Sequence, residues 1–489
     1  MFYRLKLDTF FRRYNDVGYI INKKDNSDQV FDSSGAVFMA SLSRTGQSLE
    51  ELSAKIAQEF KGVDIETLKK DIAEFFAMLE EDGFIVSGDT EAELNRKDAR
   101  FSYSGLKTKN IKNDFTPVIK RSEKNTQIFM EEHFKGNPFL TYFQIELTSR
   151  CNERCVHCYI PHENKNTDIE ADLFYDILNQ CKDMGIINLT LSGGEPMLHP
   201  NFCEFLRKVK EYDFSINILS NLTLLNDEII SEMKANRLLS SVQVSIYSMK
   251  SEIHDTITQM KGSFEKTMDA VLRLIENDIP MQISCPAMKP NKNCLADVML
   301  WAREHKVRLV SDYTIMARYD NNPGNLDNRL SLEETRQIIN NVIENNVDYQ
   351  EELRNADINT VDDRDTSNDI VCDAGIELAC MNSNGNVYPC SGWQGYICGN
   401  LYEQSLKDIW ENSPKLKRLR SIRQKDFPRC LSCPEKPFCA MCMVRNANED
   451  PNGDFLKVNE HFCKVAAINR KVVTEWKEMN HGAMPQLRI

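Results

Sequence analysis

The sequence predicts an α/β protein with a central parallel sheet, either open or curled into part of a barrel. A winged-helix-like α+β domain precedes this sheet and a cysteine-rich domain follows it. Three observations predict this plan: six strand-like segments alternate with helical patterns after residue 140, strand and helix patterns of another kind fill residues 1–90, and nine of 16 cysteines lie between Cys372 and Cys463.

The composition excludes several functional classes. The chain has 489 residues, a formal net charge of −13, 41% hydrophobic and 27% charged residues, which is the balance of a folded chain rather than a disordered one. No apolar run approaches the ~18 residues of a membrane helix, so no membrane association is expected. The acidic balance argues against nucleic acid as a partner. Charges within residues 1–8 do not suit a signal peptide, so a cytoplasmic, reducing location without disulfides is expected.

The N-terminal domain is predicted over residues 1–90. Residues 2–7, 9–22 and 29–34 have strand composition, and two helices follow. Ser48 and Glu51 form a capping-box pattern that opens a helix reaching about residue 60. The second helix carries apolar residues on one face from Ile65 to Leu79 and is expected to end at Gly83, before a short strand at 84–86.

The rest of the chain divides into five predicted segments. Residues 91–139 are polar and read as a linker with room for one helix, and residues 140–320 form the strand–helix alternation. A bridging segment covers 321–371, with a capping box at Ser331 and Glu334, a cysteine-rich domain covers 372–470, and a tail covers 471–489. The predicted strands of the alternating region are 141–147, 187–192, 214–219, 241–246, 280–285 and 307–313.

The first cysteine motif follows the first of these strands. Cys151, Cys155 and Cys158 stand at spacings of four and three on one tight loop, which lets their thiolates hold three corners of a [4Fe–4S] cube. Structural zinc takes four ligands, and a fourth is missing nearby. Three ligands leave one iron open to an exchangeable group.

A second motif ends the next strand. Ser192, Gly193, Gly194 and Glu195 combine two glycines, which allow close backbone approach, with a carboxylate that can accept hydrogen bonds from an ammonium group. In parallel α/β architectures the chemistry lies where strands end, so both motifs are expected on the same face.

These two motifs and the six-unit pattern resemble the radical S-adenosylmethionine (SAM) enzymes. The resemblance covers about residues 140–320 and implies a partial (β/α)6 TIM barrel. It implies that Cys151, Cys155 and Cys158 bind a [4Fe–4S] cluster whose open iron is chelated by SAM, and that SAM is cleaved to a 5′-deoxyadenosyl radical. By the same resemblance the SAM contacts are Ser192, Gly193, Gly194, Glu195, His157 beside adenine, Asn221 and, at the ribose, Ser245.

A second cysteine pattern occupies the C-terminal region. Paired Cys-x2-Cys motifs also build zinc ribbons, so composition alone leaves zinc open. The pattern from Cys372 to Cys463 resembles the SPASM extension of radical SAM enzymes, which carries two auxiliary [4Fe–4S] clusters, so three clusters are expected in all. The family has three residues between the last two cysteines of its quartet, whereas here two separate Cys439 from Cys442.

The SPASM resemblance implies a ligand set for each auxiliary cluster. Cys398 competes with Cys380 as the fourth ligand of the first cluster. The implied sets are Cys372, Cys380, Cys390 and Cys442 for the first cluster, and Cys430, Cys433, Cys439 and Cys463 for the second.

The N-terminal domain does not have the charge of a DNA reader. Residues 1–90 contain 11 Lys or Arg and 16 Asp or Glu, a net charge of −5. Their plan resembles the PqqD-like leader-recognition element of peptide-modifying enzymes, in which a sheet edge accepts a leader segment as an added strand. The groove is expected between residues 29–34 and the helix at 64–82.

Together these resemblances point to a radical SAM/SPASM maturase of ribosomally made peptides, most like the thioether-forming sactipeptide and ranthipeptide enzymes. The expected partners are a precursor peptide with a leader segment and a flavodoxin or ferredoxin as electron donor. Carbon–carbon crosslinking, epimerisation and, less in keeping with a leader-binding module, formylglycine formation in a sulfatase stay open as reactions. A zinc-ribbon regulator is the non-enzymatic alternative, and no general base is identifiable.

Overall fold

The computed structural model describes residues 1–14, 17–22, 27–60, 62–98, 138–164, 166–356, 365–439 and 441–480. Most of the predicted linker, residues 357–364 of the bridging segment and residues 481–489 lie outside the described residues. The chain divides into two compact units: residues 1–139 with the short segments 210–215 and 236–238, and the remainder.

The first unit contains two small antiparallel sheets, ordered β5-β1-β6 and β2-β3-β4. Its strands are β1 (Phe2–Leu5), β2 (Thr9–Tyr14), β3 (Val17–Asn22), β4 (Ser27–Asp32), β5 (Gln47–Ser48) and β6 (Ile85–Gly88). Its helices are α1 (Ser33–Ser41), α2 (Leu49–Ile56), α3 (Ile65–Glu81) and α4 (Glu91–Lys97).

Local sequence signals set the ends of α2 and α3. The Ser48 hydroxyl accepts from the Glu51 amide, and the Glu51 carboxylate accepts from the Ser48 amide, which confirms the predicted capping box. Asp64 caps α3, and Gly83 follows its end in the left-handed region at φ 84°. Helix α2 ends earlier than predicted, at Ile56.

The plan of three strands followed by two helices is wrong on two points. The predicted strand at 9–22 is two paired strands, β2 and β3, and helix α1 was not predicted. The predicted strand at 29–34 is β4 at 27–32, and the chain then turns into a helix. Gly35, Ala36, Phe38 and Met39 are all buried, so α1 lacks the one-sided apolar pattern that identifies a surface helix. Helix α4 lies in the segment predicted as linker and caps its first turn with Thr90.

The second unit is built on one nine-stranded sheet, ordered β12-β11-β10-β9-β8-β7-β13-β14-β15. The six predicted strands all occur, within a few residues at their ends. The pairs β7–β8, β9–β10, β10–β11 and β11–β12 are parallel, as expected for a (β/α)6 partial barrel. The strands are β7 (Tyr142–Thr148), β8 (Asn188–Gly193), β9 (Ser215–Ser220), β10 (Leu239–Ser245), β11 (Met281–Ser284), β12 (Arg308–Val310), β13 (Leu378–Met381), β14 (Asn386–Tyr388) and β15 (Gly399–Asn400).

The helices of this unit follow the predicted alternation. Helix α5 shows why: Leu173, Ile177 and Cys181 lie on one buried face, as the spacing predicts. The α-helices are α5 (Ala171–Asp183), α6 (Phe202–Glu211), α7 (Asp227–Ala235), α8 (Ser251–Thr258), α9 (Ser263–Glu276), α10 (Leu295–Glu304), α11 (Leu332–Asn345), α12 (Val347–Asn355), α13 (Leu406–Asn412), α14 (Pro414–Ser421), α15 (Pro428–Leu431), α16 (Met443–Glu449) and α17 (Glu460–Asn480). Short 3-10 helices cover His162–Asn164, Pro196–Leu198, Lys289–Asn291, Gly324–Asn328, Gln424–Asp426 and Lys436–Phe438.

The cysteine-rich region joins the barrel sheet directly. Strand β13 pairs in parallel with β7, with Cys380 opposite Gln144, and β14 pairs antiparallel with β13. The first barrel strand therefore has neighbours on both sides, and cysteines of the C-terminal region are held beside it.

Two long helices complete the second unit. Helix α11 begins with the predicted capping box at Ser331 and Glu334, and it packs against α17 through a cluster that includes Ile339 and Val473. Helix α17 runs continuously past residue 470, where the sequence pattern placed the start of a tail. Among the described residues, no helix has both the length and the apolar character needed to span a bilayer.

Candidate functional site

The first cysteine motif forms a loop at the carboxyl end of β7. The amides of Arg154 and Val156 donate to the carbonyls of Thr258 and Ile257 at 2.9 and 3.0 Å, which ties the loop to the end of α8. The Cys158 amide donates to the Cys155 carbonyl at 3.0 Å, so the last two cysteines share one tight turn.

The three thiols of this loop lie near one another. Burial raises the pKa of Cys155 well above its usual value, and the charges of Glu153, Cys158 and Cys151 raise it further. All 16 cysteines of the chain are free thiols. The iron atoms of an iron–sulfur cluster would stabilise these thiolates, because their positive charge offsets the repulsion between the sulfur anions.

A tyrosine that sequence reasoning had not assigned to the site contacts this loop. The buried Tyr247 hydroxyl donates to Cys155 Sγ at 3.8 Å. Ser245, the predicted ribose contact, ends β10 two residues before Tyr247. The sequence feature that could have pointed to Tyr247 is its position, two residues after the end of a barrel strand.

The glycine pair packs against the cysteine loop. The Gly194 and Glu195 amides donate to the Thr148 and Arg150 carbonyls, both at 2.8 Å. A Cβ atom on Gly194 would lie 2.2 Å from the Arg150 carbonyl oxygen, and one on Gly193 would lie 2.3 Å from that of Thr148. Glycine is therefore required here to bring two strand ends together, whatever these residues contact in addition.

Glu195 is fully buried next to this junction. Its carboxylate accepts from the Asn221 amide at 2.7 Å, the Ser220 hydroxyl at 2.8 Å and the Met197 amide at 3.0 Å. Burial nevertheless raises the pKa of Glu195 to about 7, because the hydrogen bonds offset only part of the lost hydration.

The side chain of Asn221 is engaged within the protein. Its Nδ2 donates to Asn152 Oδ1 at 2.9 Å, and its Oδ1 accepts from the amide and hydroxyl of Thr223. Asn152 belongs to the cysteine loop, so Asn221 positions that loop, and its contact with SAM stays a prediction.

His157 provides a test of whether a ligand fits. Its Nδ1 is buried and has no hydrogen-bond partner within the described part of the chain. Burial lowers the pKa of His157 to about 4, so the ring is neutral at physiological pH. A neutral, flat ring with an unpaired polar atom fits the place beside a nucleobase that the family resemblance assigns to it.

Sequence reasoning also missed a buried polar group between the two cysteine regions. Glu146 on β7 accepts from the Tyr388 hydroxyl at 2.6 Å and from Gln394 Nε2 at 2.5 Å. The neighbouring Gln144 donates to Ser192 Oγ at 2.8 Å. Polar residues at positions 144 and 146 of an otherwise apolar strand were the available signal, since alternate residues face the same side.

The predicted ligands of the first auxiliary cluster are brought together by β13, β14 and the segment before α16. Burial raises the pKa of Cys390 to about 11, and the charges of Cys442 and Cys372 contribute to the rise. Burial likewise raises the pKa of Cys380 well above its usual value, with Cys390 the next contributor. Cys372, Cys380 and Cys442 therefore each lie close enough to Cys390 for their charges to interact with it.

Cys398 stands apart from this group. Burial raises its pKa to about 12, and the charged neighbours that act on it are Lys415 and Arg420 rather than other cysteines. Its Sγ donates to the Tyr396 carbonyl at 3.4 Å. The geometry therefore favours Cys380 over Cys398 as the fourth member of the set.

The remaining four cysteines form a second group near the surface. Burial raises the pKa of Cys439, and the charges of Cys463, Cys430 and Cys433 add to this, so all four sulfurs lie close together. The cavity beside them has a volume of about 440 Å³. It is lined by Cys430, Cys433, Cys439 and Cys463, together with Cys372 and Cys442 of the other set.

The cysteine groups are not arranged as sites for one ion. Within the described ranges, no three His, Cys, Asp or Glu side chains converge as a single metal ion requires. Groups of three and four thiols suit a polynuclear cluster, whose metal atoms lie between the sulfurs.

Comparison with known families gives three matches. The radical SAM superfamily matches residues 145–302, the SPASM iron–sulfur cluster-binding domain matches 372–434, and the coenzyme PQQ synthesis protein D (PqqD) family matches 26–85.

Individual relatives cover most of the chain at low identity. The chain is 27% identical over 342 residues to an AdoMet-dependent heme synthase of Methanosarcina barkeri, covering 65% of this chain and 94% of that protein. It is 23% identical over 320 residues to the antilisterial bacteriocin subtilosin biosynthesis protein AlbA of Bacillus subtilis, covering 64% of this chain and 69% of that protein. The crystal structure of Streptococcus suis SuiB bound to precursor peptide SuiA matches with a TM-score of 0.60 and 17% identity, covering 94% of this chain and 99% of that one.

These matches confirm the family prediction and the fold class, and they support SAM and iron–sulfur clusters as cofactors. The ligand sets and the number of clusters stay predictions. The chain therefore combines a radical SAM domain, a SPASM iron–sulfur domain and a PqqD-type N-terminal domain.

Proposed function

We propose that this enzyme modifies a ribosomally synthesised, cysteine-rich precursor peptide and forms thioether crosslinks between cysteine sulfur and a carbon of another residue. The observation that carries the proposal is the presence of a PqqD-type domain in the same chain as radical SAM and SPASM domains. Similarity to AlbA, which is named for subtilosin biosynthesis, and to the fold of SuiB, solved with its precursor peptide, supports it.

The first cysteine loop holds the SAM-binding cluster in this proposal. When bound, that cluster and SAM supply a 5′-deoxyadenosyl radical that abstracts a hydrogen atom from the peptide. Cys151, Cys155 and Cys158 are the protein ligands, and Tyr247 donates a hydrogen bond to one of them. Glu195 orients the amino group of SAM, and His157 lies against its adenine.

The two C-terminal groups hold one auxiliary [4Fe–4S] cluster each, which makes three clusters in the chain. Cys372, Cys380, Cys390 and Cys442 surround the first, beside the buried Glu146. Cys430, Cys433, Cys439 and Cys463 surround the second. The first group lies next to β7, and a cluster held there would supply an acceptor for the electron that bond formation releases.

The N-terminal unit binds the leader of the peptide. Strand β4 is an edge strand of its sheet, so its outer backbone groups can pair with an added strand. The Phe31 ring on β4 lies 5.2 Å from the Phe75 ring on α3, and Phe75 lies 5.7 Å from Phe38. These rings give the edge an apolar side that suits leader residues, and binding there raises the local concentration of the core peptide.

The test is mass spectrometry of the peptide after co-expression in the absence of oxygen. The substrate to use is a short cysteine-rich reading frame beside the gene for this enzyme. Each thioether should remove two hydrogen atoms and should also make one cysteine resistant to alkylation by iodoacetamide. The enzyme with Cys151, Cys155 and Cys158 all replaced by Ala is the control and should leave the peptide unchanged.

The same measurement separates the other reactions. Carbon–carbon crosslinking also removes two hydrogen atoms but leaves every cysteine open to alkylation. Epimerisation leaves the mass unchanged in ordinary water and adds deuterium in D2O. Either result would contradict thioether formation while keeping peptide modification.

A further inference from the structure

A strongly basic segment interrupts this acidic chain beside the second auxiliary cysteine group. Residues 414–436 contain eight Lys or Arg and two Asp or Glu, a net charge of +6 in a chain of net charge −13. The segment comprises α14, α15, which carries Cys430, and the following loop, which carries Cys433. Such a reversal concentrates positive potential at one place on the surface.

Most of these charges are exposed and lack an acidic partner. Lys417, Lys425 and Lys436 are exposed, and within the described part of the chain no ion pair involves them. Lys425 and Lys436 donate instead to neutral oxygens, those of Asn368 and Thr366, at 3.0 and 2.8 Å. The two acceptors are two residues apart, so both ammonium groups lie on the same small area.

This area adjoins the cysteines. Burial raises the pKa of Cys430, and the charges of Cys463 and Cys433 raise it further. The cations Arg429 and Lys436 lower it, so both lie near this sulfur. The charge of Arg429 also lowers the pKa of Cys463, although burial raises that pKa by more. The thiols of this group are partly exposed, whereas Cys380 of the other auxiliary group is fully buried.

We propose that residues 414–436 form the docking surface for a small acidic one-electron carrier protein, at which one electron passes from the carrier to the second auxiliary cluster. The inference rests on the proposed function, because it requires a cluster held by Cys430, Cys433, Cys439 and Cys463. No bond or proton changes in the transfer: the carrier is oxidised by one electron and the cluster is reduced by one.

Two physical requirements meet at this surface. Electron transfer needs the donor close to the cluster, and all four cysteines of this group are partly exposed. Redox partners form small, short-lived complexes, which depend on charge complementarity for a fast and correctly oriented encounter. An unpaired positive surface on a protein of the opposite net charge selects an acidic partner while the rest of the molecule repels it.

The test compares two triple variants with the same total change in charge. One replaces Lys417, Lys425 and Lys436 by Glu, and the control replaces Lys261, Lys266 and Lys306, exposed lysines distant in sequence from the cysteine group, by Glu. The probe is an acidic flavodoxin, and its affinity for the cluster-loaded enzyme is measured by surface plasmon resonance at several salt concentrations. We expect the first variant to bind at least about tenfold more weakly at low salt, with a flatter salt dependence, and the control to bind like the original enzyme.

A second readout separates docking from the radical chemistry. SAM cleavage driven by dithionite, a small reductant that needs no docking surface, should be equal in all three proteins, while cleavage driven by flavodoxin should fall only in the first variant. Equal flavodoxin affinity in both variants overturns the proposal, as does loss of precursor-peptide binding alone in the first variant. Absence of dithionite-driven cleavage in the original enzyme would instead contradict the proposed function. If the triple variant loses iron, Lys425→Gln and Lys436→Gln singly repeat the comparison.

Discussion

The carboxyl of Glu195 is expected to make SAM binding depend on pH. Its pKa is raised to about 7 by burial, so the group is largely protonated at pH 6 and largely ionised at pH 8. A carboxylate accepts a hydrogen bond from the SAM amino group better than a neutral carboxyl does. We therefore expect the affinity for SAM to rise by up to about tenfold from pH 6 to pH 8 through this residue.

The matched variant for this prediction is Glu195→Gln, which is neutral at every pH. Isothermal titration calorimetry from pH 6 to pH 8 gives the affinity of both proteins for SAM. The ratio of the two affinities at each pH removes the contribution from titration of the SAM amino group itself. A ratio that does not change with pH would show that Glu195 does not titrate against SAM.

Tyr247 is expected to tune the first cluster. A hydrogen bond to a cysteine sulfur stabilises the more negative, reduced state of an iron–sulfur cluster and so raises its potential. Removing the hydroxyl in Tyr247→Phe should lower the potential by roughly 20–60 mV, the equivalent of ~0.5–1.5 kcal/mol for one electron. The potential is measured by a redox titration followed by electron paramagnetic resonance, using the cluster signal that changes when SAM is added.

The control for Tyr247 is Tyr396→Phe. The Tyr396 hydroxyl donates to the Lys415 carbonyl at 3.3 Å rather than to a cysteine of the first loop. It should leave the potential of the SAM-binding cluster unchanged, and an equal shift in both variants would contradict a specific role for Tyr247.

At the scale of secondary structure, the sequence predicted elements whose signal is local. Six barrel strands and the capping boxes at Ser48 and Ser331 could be found because strand composition and cap chemistry act over a few residues. Helix α1 was missed because burial around most of its surface removes the periodic pattern. The hydrogen bond between Tyr388 and Glu146 was missed because it joins residues 242 positions apart and depends on the β7–β13 pairing.

The groove between β4 and α3 gives a prediction at this scale. Phe75 is partly buried and contacts rings on both β4 and α1. Phe75→Ala should weaken leader-peptide binding by about tenfold or more, since losing the ring's share of an apolar contact costs about 1.4 kcal/mol or more. Fluorescence anisotropy with a labelled leader measures the affinity, and SAM cleavage should be unaffected.

Met78 provides the control for the groove. It lies three residues after Phe75 on α3 and is 37% exposed. Met78→Ala should bind the leader normally, and Phe75→Leu should recover most of the affinity because it restores apolar volume. Weaker binding in all three variants would indicate a loss of the domain's stability rather than of a contact.

For the whole molecule, the grouping of cysteines was predictable and the choice between two of them was not. Spacing along the chain and the family resemblance assigned seven auxiliary ligands, but Cys380 and Cys398 both fall between Cys372 and the later quartet. Only the folded chain brings Cys380, on β13, close to Cys390 and places Cys398 among Tyr396, Lys415 and Arg420.

Iron analysis of two single variants decides between these cysteines. Three cubane clusters correspond to about 12 iron atoms per chain. Cys380→Ala should lower the iron content from about 12 towards about 8 and alter the Mössbauer spectrum of one cluster, because that cluster loses one of its four protein ligands. Cys398→Ala removes a buried thiol of equal size but no ligand, so it should keep its iron and its spectrum. The opposite pattern would make Cys398 the ligand, and a content near 8 in the unaltered enzyme would contradict the presence of a third cluster.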